Sequence, residues 1–76
     1  MTWTTIYVSS VTNGTRGKRL LEKQGYTVYL QRAAQIADDV GCGYSLIVGG
    51  DGARAVDQLR RAGIRVLRVD SGGAPR

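Results

Sequence analysis

The order of β-rich and helix-forming segments in this chain of 76 residues, together with two matching helix-to-strand junctions, predicts an α+β fold of the ferredoxin-like class. The segments follow the order strand, helix, strand, strand, helix, strand. Both junctions place a glycine before the next strand, at Gly25-Tyr26 and at Gly63-Ile64, which indicates a repeated unit. We therefore predict a βαββαβ domain over residues 1–69, with a four-stranded antiparallel sheet and both helices on one face.

A first strand and a first helix open the predicted domain. Residues 4–9 are rich in β-branched and aromatic side chains, and their alternation places the apolar ones on a single face. The helix is predicted over residues 13–24, before a C-terminal glycine. Gly14 and Gly17 each cost about 1 kcal/mol relative to alanine inside a helix. The first turn is alternatively a loop that exposes backbone N–H groups.

Two further strands flank a stretch with mixed spacing. Residues 26–31 alternate with period two and predict the second strand. Residues 44–48 are almost continuously apolar, as expected of a strand at the centre of a sheet. The apolar residues within 32–41 follow neither period, so we predict a short helical turn or an ordered loop there rather than a strand.

A second helix and a last strand complete the predicted domain. Asp51 is a good N-cap for a helix that runs to Ala62 and turns an apolar stripe inward. Residues 64–69 alternate and predict the last strand. Residues 70–76 consist mostly of Ser, Gly, Ala and Pro, which predicts a disordered C-terminal tail.

Length and composition restrict the function classes. A chain this short buries only about 60% of its unfolded surface, so a homodimer through a free sheet edge or face is expected. One cysteine and no histidine exclude an internal disulfide and an ordinary Cys/His zinc site, and they fit a reducing cytoplasmic compartment. No apolar run approaches the roughly 20 residues of a membrane span, and no signal-peptide pattern is present. The sequence indicates a soluble protein with no metal and no cofactor.

The sole cysteine is the leading candidate for chemistry. Cys42 lies between Gly41 and Gly43 just before the third strand, and the absence of neighbouring side chains gives a bulky partner access to a thiol. A nucleophilic thiol must be deprotonated, so its ordinary pKa of about 8.5 has to be lowered by cations or by a helix N-terminus. The alternative is that Cys42 is a buried, small apolar side chain.

A basic stretch at the first helix is the second candidate site. Eleven Lys and Arg against six Asp and Glu give a formal net charge of +5, which favours anionic partners. Glycines, a helix start and several bases together suit an anion bound through backbone N–H groups and the helix dipole. The alternative is a solvated basic helix start. The predicted anion- or partner-binding residues are Asn13, Gly14, Arg16, Gly17, Lys18, Arg19 and Arg32.

Three further functions have weaker support in the sequence. Residues 14–17 match the Gly-x-x-Gly clamp of KH domains, although that clamp joins two helices and this stretch follows a strand. Aromatic stacking of RNA is disfavoured against core or edge packing, because the aromatic motif of RRM domains is absent. Without histidine or paired acids, hydrolytic or general acid/base catalysis is poorly supported, so a carrier or binding module is favoured over an enzyme. The tyrosines concerned are Tyr7, Tyr26, Tyr29 and Tyr44.

In the order and pattern of its elements, the chain resembles the selenium/sulfur carrier-like family of small bacterial proteins. The resemblance covers about residues 4–69, and its chemically specific part is the Cys42-Gly43 pair before an apolar strand. The family's Pro-Arg element ahead of the cysteine is absent, and residues 32–34 read Arg-Ala-Ala instead. The other matching parts are the strand end at 8–10, the helix end at 20–25, the strand at 28–30, and the second helix with Ala55, Leu59 and 62–64.

The resemblance implies that Cys42 holds sulfur or selenium as a persulfide or selenosulfide and passes it from a donor protein to an acceptor protein. Gly41 and Gly43 would give access to the thiol, and the basic stretch would steer an anionic species or an acidic partner. Two hypotheses from other classes stay open. One is a nucleic-acid-binding module that uses residues 14–19, and the other is a dimerisation or regulatory domain without chemistry.

Overall fold

The structure, a computed structural model, describes residues 3–36 and 39–72, without the side chains of 33–36 and 39–42. Within these residues, four strands and two helices follow the predicted order. The strands form an antiparallel sheet in the order β2-β3-β1-β4, which confirms the α+β ferredoxin-like class. The elements are β1 Trp3–Val8, α1 Val11–Lys23, β2 Thr27–Ile36, β3 Asp39–Gly49, α2 Gly52–Arg61 and β4 Arg68–Ser71.

Both helices pack on the same face of the sheet. A Cβ atom placed on Gly14 of α1 would lie 3.6 Å from Val8 Cγ2, and one placed on Gly52 of α2 would lie 2.7 Å from Thr4 Cβ. Thr4 and Val8 are buried and four positions apart in β1, so their side chains project from the same side of the sheet. The opposite face therefore carries neither of the two described helices.

A single apolar core fills the space between the sheet and the helices. Alternate residues of β1 are buried, as predicted, and β3 is buried at every position from Ser45 to Gly49. The inner strand β3 is covered on one face by the helices. On its other face lie the aromatic side chains of Trp3 in β1 and Tyr29 in β2. The core residues are Ile6, Val8, Leu21, Val28, Leu46, Val48, Ala55, Val56, Leu59 and Ile64.

Helix α1 begins two residues earlier than predicted because Ser10 caps it. The Ser10 hydroxyl accepts a hydrogen bond from the Asn13 N–H at 3.2 Å, and its carbonyl accepts one from the Gly14 N–H at 2.9 Å. Gly14 and Gly17 lie inside this helix and are buried, so the alternative of an exposed first-turn loop is wrong. The missing Cβ atoms let α1 approach the sheet closely, and this packing outweighs the helix propensity that glycine lacks.

The prediction that residues 32–41 form a turn or loop is wrong for the residues described. Strand β2 continues to Ile36 and β3 begins at Asp39, with residue pairs from Arg32–Tyr44 to Ile36–Asp39. Each strand satisfies backbone N–H and C=O groups of the other, so the pairing overrides a weak local pattern. Residues 37–38 lie outside the described part of the chain.

The last strand lies further along the chain than predicted. Ile64 packs against α1 in the core and is only 2% exposed, and the residues from 64 to 67 do not form a strand. The backbone joins the sheet where the Leu67 N–H donates to the Tyr7 carbonyl at 2.8 Å, and β4 then runs from Arg68 to Ser71. Strand β4 therefore includes residues 70–71 of the predicted disordered tail, and the next residue, Gly72, donates its N–H to the Trp3 carbonyl at 2.7 Å. Residues 73–76 lie outside the described residues.

Candidate functional site

Cys42 lies in β3 at a point where the register with β2 shifts. The pairs Ala33–Gly43 and Gln35–Val40 flank this point, so two residues of β3, Gly41 and Cys42, face one residue of β2. An extra residue on one strand bends the strand and redirects its side chains, and such bulges are common beside active sites. The Cys42 backbone therefore sits at an irregular place in the sheet, while its side chain is not among those described.

The N-terminal turn of α1 packs close to this part of β3. A Cβ atom on Gly14 would lie 3.6 Å from the Cβ of Tyr44, which follows Cys42 by two positions. Two residues of a strand span about 7 Å. The N-terminal part of α1 thus meets β3 two positions beyond Cys42, and a helix N-terminus favours negative charge close to it.

The glycines predicted to bind an anion contribute to packing instead of forming a binding loop. A Cβ atom on Gly14 would lie 2.8 Å from Leu30 Cδ1, and one on Gly17 would lie 2.9 Å from Leu59 Cδ2. The N–H groups of Asn13 and Gly14 are occupied by the cap of α1. The Gly-x-x-Gly stretch is therefore a helix-to-sheet contact, and it does not form the loop of a KH clamp.

The predicted basic residues lie at three different positions in the fold. Lys18 donates a hydrogen bond to Glu22 within a 3.0 Å ion pair on α1. Arg32 lies on β2, at the position paired with Tyr44. Arg16 and Arg19, by contrast, line a common cleft with residues that the sequence did not assign to a site. The predicted basic site is thus only partly assembled.

This basic cleft has a volume of about 280 Å³ and lies where α1 meets the chain that follows α2. Three cations surround it, and three apolar side chains form its floor. Ile64 of the floor is almost fully buried, while Leu20 and Ala62 are half-buried. The cleft can therefore accept negative charge at its rim and apolar surface at its base. The lining residues are Arg16, Arg19, Leu20, Lys23, Ala62 and Ile64.

The three cations of the basic cleft form no ion pair within the described part of the chain. Glu22, Asp57 and Asp70 are each engaged by another base, and Asp51 accepts a hydrogen bond from the Arg54 N–H as the cap of α2. Every carboxylate whose side chain is described thus has a partner. Like charges three or four positions apart on a helix destabilise it by roughly 0.2–0.5 kcal/mol per pair.

The face of the sheet opposite the helices carries an aromatic group. The rings of Trp3 and Tyr29 lie 6.0 Å apart with an interplanar angle of 52°, and Ile47 beside them in register is only 6% exposed. The Arg68 guanidinium lies 6.0 Å from the centre of the Tyr7 ring. These aromatics cover the central strand. Pairing of two copies through this face stays a prediction.

The four tyrosines divide between the two faces of the sheet. Tyr26 and Tyr44 pack against the core on the helix side, whereas Tyr7 and Tyr29 lie on the opposite face. Packing in the core or at the edge, which the sequence favours over RNA stacking, is found for Tyr26 and Tyr44 in the core and for Tyr29 beside Trp3 on the edge strand β2. The tyrosines therefore do not form a single stacking surface.

The cations of the basic cleft could be predicted from the sequence, whereas its contact with the residues after α2 could not. Arg16, Arg19 and Lys23 follow the spacing i, i+3, i+7, which places side chains on one stripe of a helix, so Lys23 could have been included. No sequence signal brings Ala62 and Ile64 to that stripe, because their contact with α1 depends on how the two helices pack.

The fold and the two candidate sites define a small α+β domain with an irregular cysteine-containing strand and a separate basic cleft. Comparisons of the chain with protein-family models, with curated proteins and with solved structures found no match. In the described part of the chain, no three His, Cys, Asp or Glu side chains are grouped as metal ligands. Neither described helix has the length and apolar character needed to cross a membrane.

Proposed function

We propose that this protein is a sulfur or selenium carrier in which Cys42 receives a chalcogen atom and passes it on. The observation that carries the proposal is the register shift in β3, because it puts the only cysteine at a bulge beside two glycines. The resemblance to the selenium/sulfur carrier-like family supports the same residue. The proposed role belongs to a reducing compartment such as the bacterial cytoplasm, where a single thiol stays available.

The proposed transfer needs no oxidant or reductant. The Cys42 thiolate attacks the outer sulfur of a donor persulfide, a new S–S bond forms at Cys42, and the donor leaves as a thiolate. An acceptor thiolate then attacks the outer sulfur now held on Cys42, and the Cys42 thiolate leaves. The transferred sulfur keeps its oxidation level in both steps. A selenium atom would follow the same route through a selenosulfide.

Two features of the fold support this chemistry. Gly41 and Gly43 leave the backbone on both sides of Cys42 without side chains, so a donor can approach closely. The N-terminal turn of α1 contacts β3 at Tyr44, two positions beyond Cys42, and a helix N-terminus favours negative charge close to it. The thiolate, which is both the attacking and the leaving group, is therefore expected to be stabilised.

Loading from glutathione persulfide, followed by intact mass spectrometry, tests the proposal. We expect the native protein to gain one sulfur atom and Cys42→Ser to gain none. The matched control is the double variant Cys42→Ser, Thr27→Cys, which moves the only thiol to an exposed position on β2, on the face of the sheet away from both helices. We expect wild-type protein to load about tenfold faster than this control, because a thiol at the bulge is activated and an ordinary exposed thiol is not.

Two results would contradict the carrier proposal. Equal loading rates of the wild type and the relocated thiol would show that Cys42 has no special reactivity. Loading of the wild type only after unfolding would show that Cys42 is a packing residue. Circular dichroism of each variant confirms that the rates refer to folded protein.

A further inference from the structure

We propose that the basic cleft binds an acidic segment of a partner protein that carries at least one apolar side chain. The cleft is the one lined by Arg16, Arg19, Lys23 and the apolar floor of Leu20, Ala62 and Ile64. Binding of such a segment does not require Cys42 to transfer a chalcogen.

Helix α1 carries three positive charges along one side. Arg16, Arg19 and Lys23 lie on one stripe of the helix, where each repels its neighbour. The nearest acid of the same helix, Glu22, is held by Lys18 at 3.0 Å and does not relieve the repulsion. Three like charges on one stripe, without an ion-pair partner among the described side chains, form a surface that attracts negative charge. The missing negative charge is expected to come from a ligand.

The floor of the cleft is apolar and partly exposed to solvent. Leu20 and Ala62 keep part of their surface exposed between the cations, although both also contact the core. A free inorganic anion would satisfy the cations and leave this apolar surface in water. A peptide with carboxylates around one apolar side chain matches both parts, because it places charge at the rim and covers the floor.

The position of the aromatic side chains favours a peptide over nucleic acid. Single-stranded nucleic acid is bound by a basic groove combined with aromatic rings on which bases stack. Here Trp3, Tyr7 and Tyr29 lie on the face of the sheet away from the helices, and no aromatic residue lines the cleft. The stripe of cations spans about 10 Å of helix, which is short for a track along a phosphate backbone.

Two matched triple variants test the inference. In the first, Arg16→Gln, Arg19→Gln and Lys23→Gln neutralise the cleft. In the second, three exposed bases outside the cleft are neutralised. Each variant removes three positive charges and lowers the formal net charge from +5 to +2. The bases changed in the second variant are Arg54, Arg60 and Arg65.

The probes are fluorescein-labelled peptides and a labelled single-stranded RNA, measured by fluorescence anisotropy at low and at physiological salt. One peptide carries leucine between pairs of glutamates, and a second has serine in place of the leucine. We expect the cleft variant to bind the leucine peptide about tenfold more weakly than wild type, because three charged contacts are lost. The control variant is expected to stay within about threefold of wild type. The serine peptide is expected to bind the wild type more weakly than the leucine peptide.

Each other outcome overturns the inference. Equal weakening in both triple variants would show attraction by net charge alone. Binding of RNA but not of the peptides, lost in the cleft variant, would assign the cleft to nucleic acid. Equal binding of the two peptides, or no binding of either, would show that the cleft has no acidic-apolar ligand. Peptide binding is expected to be the same in Cys42→Ser as in the wild type. The docking inference and the carrier proposal can therefore fail independently of each other.

Discussion

The Leu46→Ala variant is expected to lose about 2–5 kcal/mol of the free energy of unfolding, the range for removing a fully buried leucine side chain. Leu46 is 0% exposed at the centre of β3, between Ile6 of β1 and Leu30 of β2. A chain of 76 residues has a total stability of roughly 4–11 kcal/mol. This one substitution should therefore remove a large share of the stability or unfold the protein.

Urea unfolding measures this prediction, with the fluorescence of the single tryptophan, Trp3, as the signal. Val69→Ala is the control, since Val69 is 41% exposed on the edge strand β4 and its truncation should cost less than about 1 kcal/mol. A midpoint for Leu46→Ala close to that of Val69→Ala would mean that the core is not centred on β3.

The second large effect is expected for Gly17→Asp, which should destabilise the protein by on the order of 4 kcal/mol. A Cβ atom on Gly17 would lie 2.9 Å from Leu59 Cδ2, 3.0 Å from Leu46 Cδ1 and 3.7 Å from Ile64 Cδ1. The new carboxylate would thus be buried among apolar atoms without a partner. If residues 14–19 instead formed an exposed anion-binding loop, the same change would leave stability nearly unaltered.

Two variants separate the effects of charge and of volume at this position. Gly17→Asn introduces a side chain of nearly equal size without a charge, so it should cost less than Gly17→Asp at neutral pH. Burial raises the pKa of an aspartate above its unfolded value, so the deficit of Gly17→Asp should shrink as the pH falls and the group becomes neutral. Thr12→Asp, on the exposed first turn of the same helix, should be neutral or slightly stabilising. Gly17→Asp as stable as Thr12→Asp would contradict the close packing of α1.

Substitutions at the buried glycines and at the exposed cations of α1 differ in what they reveal about anion binding. Acidic substitutions at Gly14 or Gly17 would remove a large share of the stability of the domain, so a loss of binding in them would carry no information about an anion site. The exposed cations Arg16, Arg19 and Lys23 can be changed without disturbing the core. Neutralising them should leave the stability unchanged or raise it slightly, because their mutual repulsion is removed.

The sequence predicted some residues of the two candidate sites but not their arrangement. Cys42 was identifiable because a single thiol between glycines is unusual in itself, but the register shift at its position results from pairing between β2 and β3. Arg16 and Arg19 were predicted to bind an anion together with Lys18, and local sequence cannot show which base an acid such as Glu22 will engage. That choice depends on the positions of side chains along a formed helix.

By itself, the sequence determined the order of the elements, the C-terminal ends of both helices to within one residue, the N-cap of α2 and the buried face of β1, because these depend on caps, glycines and periodicity within a few residues. Only the tertiary structure decided that 32–36 and 39–41 are strand, that Gly14 and Gly17 are packing contacts, and that Ile64 leaves the sheet for the helix layer. The reason is that strand pairing and helix-to-sheet packing bring together residues far apart in the chain. The basic cleft exists for the same reason, since α1 and the residues after α2 form it only when both have packed on the sheet.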